Sequence, residues 1–166
     1  MDDEREAGRA EAKAFRLLAL RAHSEKEWRV KLRAGGFAAG MVDRVVRRCR
    51  ELGYLDDAAF ARQRARALAV GRLAGDRRIV LDLRQKGIAA DLCRQAIDEG
   101  RGELDEREAA ERLIRKKTRG RPAIRLDERE KAALARHLTG KGFPTGLILS
   151  LLNKAGEEGF HDDDGE

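Results

Sequence analysis

Leu83-Arg84-Gln85-Lys86-Gly87-Ile88 has altered copies on both sides, Leu32-Arg33-Ala34-Gly35-Gly36-Phe37 and Leu138-Thr139-Gly140-Lys141-Gly142-Phe143. In each copy a helix ends on Leu. A glycine stands four residues later, where a left-handed C-terminal cap falls, and an apolar residue follows it. Leu83 lies 51 residues after Leu32, and Leu138 lies 55 after Leu83, the period of a supersecondary unit repeated in tandem. The register continues outward. Trp28, Ile79 and Leu134 precede the shared Leu by four; Met41, Leu92 and Leu147 follow the shared Phe or Ile by four, and Val46, Ile97 and Leu152 by nine. With the Leu and the Phe or Ile themselves, five columns are apolar in every copy. A three-helix unit of about 50 residues buries too little apolar surface alone, so neighbours must lean on one another. The predicted fold is all-α, three tandem three-helix repeats in an elongated, curved array.

The repeats divide the chain into a flexible N-terminus at 1–11, repeat 1 at 12–55, repeat 2 at 56–101, repeat 3 at 102–156 and a disordered acidic tail at 157–166. The first predicted helix runs from Ala12 to Arg21 with Phe15, Leu18 and Ala19 inward. Ser24-Glu25-Lys26-Glu27 has the form of a capping box. Asp56 and Asp57 are placed to cap the helix over 57–72, whose inward residues are Phe60, Ala61, Ala67 and Leu68. Arg64 falls between Phe60 and Leu68 on that apolar side, which predicts a covered stem and an outward head. Helices over 76–85, 105–117 and 127–139 follow, and Pro144 suits the first turn of the last one.

Charged residues make up 40% of the chain and aromatics 4%, which suits exposed helices with narrow apolar stripes; alternating β-branched runs are absent. The net charge of +6 understates the body, because residues 157–166 hold six acids and no base. Residues 1–156 set 36 bases against 24 acids, a net +12. A basic body points to an anionic partner, nucleic acid or an assembly containing it; the plain alternative is a highly charged solvated surface. Cys49 and Cys93 sit inside helical patterns and read as core thiols of a reduced protein. No apolar run approaches the roughly 20 residues of a membrane span, and the acidic start is unlike a signal peptide, so a soluble, cytoplasmic protein is predicted.

Three groups of residues together resemble the RecX family of bacterial RecA regulators. They are Gly53-Tyr54-Leu55-Asp56-Asp57 followed by Phe60-Ala61, Arg77-Arg78-Ile79 leading into Leu83-Arg84-Gln85-Lys86-Gly87-Ile88, and Ser24-Glu25 with Glu27 leading into Leu32-Arg33 and Gly36-Phe37. The likeness covers roughly residues 12–155, with Arg64 standing where an apolar residue is usual and the third repeat least motif-like. It implies a tandem of three-helix repeats that acts as a monomer, binds the RecA filament on single-stranded DNA, and restrains its extension, ATP hydrolysis, strand exchange and coprotease activity toward LexA. That would make the chain a negative modulator of recombinational repair and the SOS response. The other reading is a general DNA-binding helical repeat protein without RecA dependence. An elongated array adds several weak contacts through effective concentration.

Two basic clusters are the candidate contacts with RecA or DNA: Arg62, Arg66, Arg72, Arg77 and Arg78, then Arg115, Lys116, Lys117, Arg119, Arg121 and Arg125. Arginine suits bidentate pairing with phosphate or carboxylate; a solvated face is the alternative. The joint residues Leu32, Gly36, Phe37, Leu83, Gly87, Ile88, Leu138, Gly142 and Phe143 read as structural, and Ser24, Asp56 and Asp57 as caps. Asp56 and Asp57 have no third ligand or partner acid at a useful spacing. His23, His137 and His161 fall in no catalytic order with Cys or Ser, and no phosphate-binding glycine loop of the Walker type is present. No enzyme activity, cofactor or metal is predicted.

Overall fold

The joints between helices decide the architecture, and they are built alike. In a computed structural model describing residues 2–153, the amides of Gly36, Gly87 and Gly142 donate to the carbonyls of Arg33, Arg84 and Thr139 at 2.9, 3.0 and 2.9 Å. The amides of Phe37, Ile88 and Phe143 donate to those of Leu32, Leu83 and Leu138 at 3.4, 3.0 and 3.2 Å. That pair of bonds is the Schellman closure, and the three glycines have φ of 90°, 81° and 92°. The helices so joined are α1 (Asp2–Leu20), α2 (Glu25–Ala34) and α3 (Ala39–Glu51); α4 (Asp57–Arg66), α5 (Asp76–Gln85) and α6 (Ala90–Arg101); and α7 (Glu106–Thr118), α8 (Glu128–Gly140) and α9 (Thr145–Asn153). No strand occurs among the described residues. The fold is all-α with tandem three-helix repeats; the acidic tail and His161 lie outside the described residues.

Local chemistry accounts for the helix starts. Ser24 Oγ accepts from the Glu27 amide while Glu27 accepts from the Ser24 amide, a complete capping box, and Asp127 and Glu130 form a second before α8. Asp105 caps α7 through the Glu108 amide, and Asp56 accepts from the Ala59 amide at 2.9 Å. Pro144 stands just before α9, where its carbonyl accepts from Ile148 at 3.1 Å.

Each repeat is fastened to the next by the same set of bonds. Ser24 Oγ donates to the Lys86 carbonyl at 2.7 Å, and at the same register the Gly75 amide donates to the Lys141 carbonyl at 2.9 Å. The first amide of α2, Glu25, donates to Asp57 at 2.9 Å; the first amide of α5, Asp76, donates to Glu106 at 2.7 Å. Arg50 pairs with Glu25, and Arg101, 51 residues on, pairs with Asp76 at 2.7 Å. The second and third joints thus lie on the start of the preceding repeat's second helix, and the first amide of that helix, which the helix leaves open, is answered from the next repeat.

The chain divides into two compact units, residues 1–64 with 82–96 and residues 65–81 with 97–166. The first fastening lies wholly in unit 1 and the second wholly in unit 2, which is why the division runs through repeat 2. The core of unit 1 includes Trp28, Leu32, Val42, Val45, Val46 and Cys49. That of unit 2 includes Leu104, Leu113, Leu134, Leu138, Phe143 and Ile148.

Four local expectations are corrected. The N-terminal stretch 1–11, predicted as flexible, is helical from Asp2, because Ala10 and Ala14 are fully buried and Ala7 and Leu18 extend their stripe. Phe15 is 45% exposed instead, edge-on to Tyr54 at 5.4 Å between ring centroids. The helix over 57–72 ends in a π-helical turn at Ala67–Gly71, and Ala65 and Ala69 are buried in place of Ala67. Asp57 reaches back to α2, leaving the cap of α4 to Asp56.

Candidate functional site

The two basic clusters meet different surroundings. Arg62 belongs to unit 1, on α4; Arg66, Arg72, Arg77 and Arg78 belong to unit 2, and all five are exposed. Arg66 Nε donates to Glu103 Oε1 at 2.5 Å, so its charge already has an acid beside it. Arg72, Arg77 and Arg78 form no salt bridge among the described residues. Arg77 and Arg78 occupy the second and third positions of α5, at the positive end of the helix dipole. Cations there cost the helix about 0.3–1 kcal/mol each, so folding does not explain them. The carboxylates of Asp76 and Glu106 stand at the same helix start, Glu106 within reach of the Arg77 charge, and offset part of that positive field.

Arg115, Lys116 and Lys117 form the last turn of α7. The dipole favours cations there, so these three have a structural reason of their own. Arg119 follows at φ 54°, Arg121 donates to Glu130 at 2.6 Å, and Arg125 lies in a single 3₁₀ turn at Ala123–Arg125; all are exposed. The start of α7 answers the first amide of α5, while Lys116 lies ten residues further, about 15 Å along the axis. Arg77 and Arg78 therefore stand by one end of α7 and Arg115–Lys117 at the other, as two patches.

Several acids and His23 are otherwise engaged. Glu27 takes Arg21 at 3.0 Å, Lys86 at 2.6 Å and the Ser24 amide at 3.2 Å. Burial pushes its carboxyl up, but these donors outweigh it and hold the carboxyl at about 2. Asp57 and Glu106 lie above the usual carboxylate range, because burial exceeds the help from the amides they accept. His23 is 4% exposed, its Nδ1 2.8 Å from the Arg21 carbonyl and its Nε2 2.9 Å from Lys31 Nζ; burial, then Arg21, keeps it neutral. Arg64 makes a bidentate pair with Asp82, both bonds 2.8 Å. Sequence reading missed this partner and the Arg50 and Arg101 clasps, although the 51-residue register relates the two clasps. Among the described residues no three His, Cys, Asp or Glu gather as a metal site.

An all-α chain of tandem three-helix units falls in the class of helical-repeat proteins. Residues 10–49 match the first three-helix domain of RecX and residues 56–97 the second. The regulatory protein RecX of Syntrophotalea carbinolica is 30% identical, over 85% of this chain and 92% of its own length. That of Thermus thermophilus is 33% identical over 89% and 93%, and that of Deinococcus radiodurans 32% over 88% and 68%. Among solved structures, RecX from Lactobacillus salivarius superposes with a TM-score of 0.73 at 18% identity, covering 92% of this chain and 97% of that one; a second, a regulatory protein RecX, gives 0.76 at 22%, covering 92% and 74%. The chain belongs to the RecX family.

Proposed function

We propose that this chain is a regulator that acts by binding, without chemistry of its own. Its partner is the RecA filament on single-stranded DNA, and its effect is to restrain filament extension, ATP hydrolysis, strand exchange and coprotease activity, and so recombinational repair and the SOS response. It works in the cytoplasm as a monomer. The observation that carries this reading is the pair Arg77 and Arg78, exposed and unpaired at the start of α5 in a chain whose relatives bear the name regulatory protein RecX. Arg62, Arg66, Arg72, Arg115, Lys116, Lys117, Arg119, Arg121 and Arg125 are the further contact candidates. Asp56, Asp57 and His23 are engaged in a cap, a bond to α2 and the Lys31 contact. Among the described residues no helix is long and apolar enough to cross a membrane.

The test is ATP hydrolysis by RecA on single-stranded DNA as the chain is added below one copy per RecA. The rate should fall, and an unchanged rate at every ratio rejects the proposal. Arg77→Glu with Arg78→Glu should weaken filament association by about tenfold or more at unchanged helicity. Tight DNA binding in the absence of RecA, with RecA hydrolysis unaffected, would favour the general DNA-binding reading instead.

A further inference from the structure

Two polar side-chain atoms of unit 2 are buried without a hydrogen-bond partner among the described residues, and the residues that carry them, Thr118 and the half-buried His137, line one cleft. Thr118 is 6% exposed and its Oγ1 is unanswered; Nε2 of His137 is buried and unanswered too. Folding alone selects against such groups, since water would have satisfied both. The cleft lies between the end of α7 and α8 and holds about 300 Å³, with Leu126 and Leu134 among its apolar walls and Lys117, Arg121 and Glu130 its charged residues. Glu130 is occupied, taking Arg121 at 2.6 Å and the Asp127 amide at 3.1 Å. Lys117 forms no salt bridge among the described residues.

Two polar groups able to donate, one uncommitted ammonium and an apolar wall fit an anion with several acceptor oxygens on an organic body. We propose that this cleft binds a phosphate group of a mononucleotide or of one nucleotide in a single strand, with Lys117, Thr118 and His137 on the phosphate. His137 is held below its ordinary value by burial, then by Lys117 and Lys141. Of the charged groups around it, Lys117 comes from α7, Arg121 from the following loop, Glu130 from α8 and Lys141 from the joint. A phosphate reverses the sign of the local field, so binding should draw a proton onto His137 and tighten as pH falls toward 6.

This inference does not rest on the RecA reading, and its test contains no RecA, so either can fail alone. The intact chain is titrated with thymidine monophosphate, inorganic phosphate, thymidine and an oligothymidylate lacking terminal phosphates, while the His137 ring is followed by NMR across pH. Thymidine monophosphate and phosphate should raise the His137 midpoint by about half a unit or more, and thymidine should not. An oligonucleotide that matches the monophosphate assigns strand phosphates; one without effect assigns a free nucleotide. Thr118→Val, His137→Gln and Lys117→Gln should each weaken monophosphate binding about tenfold. Lys131→Gln, the same charge change outside the cleft, should not. Thr118→Val should also melt no lower than the parent, because it removes an unanswered hydroxyl. No movement of His137 with the monophosphate, equal losses in Lys131→Gln and Lys117→Gln, or a lower melting point for Thr118→Val with binding intact would each overturn the site.

Discussion

Glu27 makes the acid limb of stability readable from one carboxylate. Its folded value of about 2 lies below the ordinary 4.5, so the unfolded chain takes up its proton first. The contribution, on the order of 3 kcal/mol, is complete above about pH 4.5 and is lost as pH falls toward 2. Asp57 and Glu106 run the other way: raised in the fold by burial, they favour protonation, so the fold gains stability as pH falls toward their ordinary values of 3.8 and 4.5, mostly before the Glu27 loss sets in. His23, lowered, adds a loss as pH falls below its ordinary 6.5. Urea midpoints measured from pH 7 to 2 should therefore decline, and Glu27→Gln should start lower and decline less below pH 4.5. A parallel curve for the variant would show that the Arg21 and Lys86 contacts do not survive in solution. Arg64 is the second case. From sequence it is a cation on an apolar stripe, and no helical period points to an acid 18 residues away on α5. Arg64→Met leaves Asp82, 17% exposed, without its bidentate partner and should cost about 1–2 kcal/mol. A gain in stability would mean that packing outweighs the pair.

Among the elements, the joints were the most legible, because a glycine after a helix-ending Leu has one structural use and occurs here three times. Yet the three glycines are not equivalent. A Cβ on Gly36 meets nothing within 4 Å; on Gly87 it lies 2.7 Å from Lys26 Cβ; on Gly142 it lies 2.4 Å from the backbone nitrogen of Arg78. Gly36→Ala should thus cost only the left-handed backbone, about 1–2 kcal/mol. Gly87→Ala must also move a side chain near its root, and Gly142→Ala must push one backbone away from another, adding about 2 kcal/mol or more as overpacking does. Chemical denaturation should rank them Gly36→Ala, Gly87→Ala, Gly142→Ala in rising order of loss, and equal losses would remove the distinction. What the sequence hid has a common cause. The α1 stripe is built from alanines, which a search for large apolar residues passes over, and the π-helical turn at Ala67–Gly71 carries no composition of its own.

Across the whole molecule, three repeats were legible and two units were not. Repeats are a property of spacing, whereas units follow where the bonds between repeats fall, and those bonds run between residues 25 to 66 positions apart. The same limits apply to the candidate contacts, since charge runs are visible in sequence, but only the structure separates Arg66, already paired, from Arg77 and Arg78. The fastening also sets where the chain opens. Arg101 is 12% exposed and holds Asp76 together with the carbonyls of Ala74 at 2.8 Å and Leu104 at 3.3 Å, while its counterpart Arg50 is 58% exposed and pairs with Glu25. Arg101→Met therefore leaves a carboxylate and two carbonyls with fewer donors, and Arg50→Met leaves a carboxylate that Arg29 still answers at 3.0 Å. Opening free energies differ between cooperative segments of one fold, so hydrogen exchange should separate them. In Arg101→Met, the amides of Gly75 and Asp76 and those of α7 to α9 should exchange about ten- to a hundredfold faster, while the Glu25 amide in unit 1 keeps its rate. Arg50→Met should accelerate the Glu25 amide by less. Uniform acceleration through both units in Arg101→Met would mean that the chain opens as one cooperative body and that the second fastening stabilises repeat 1 as much as repeat 3.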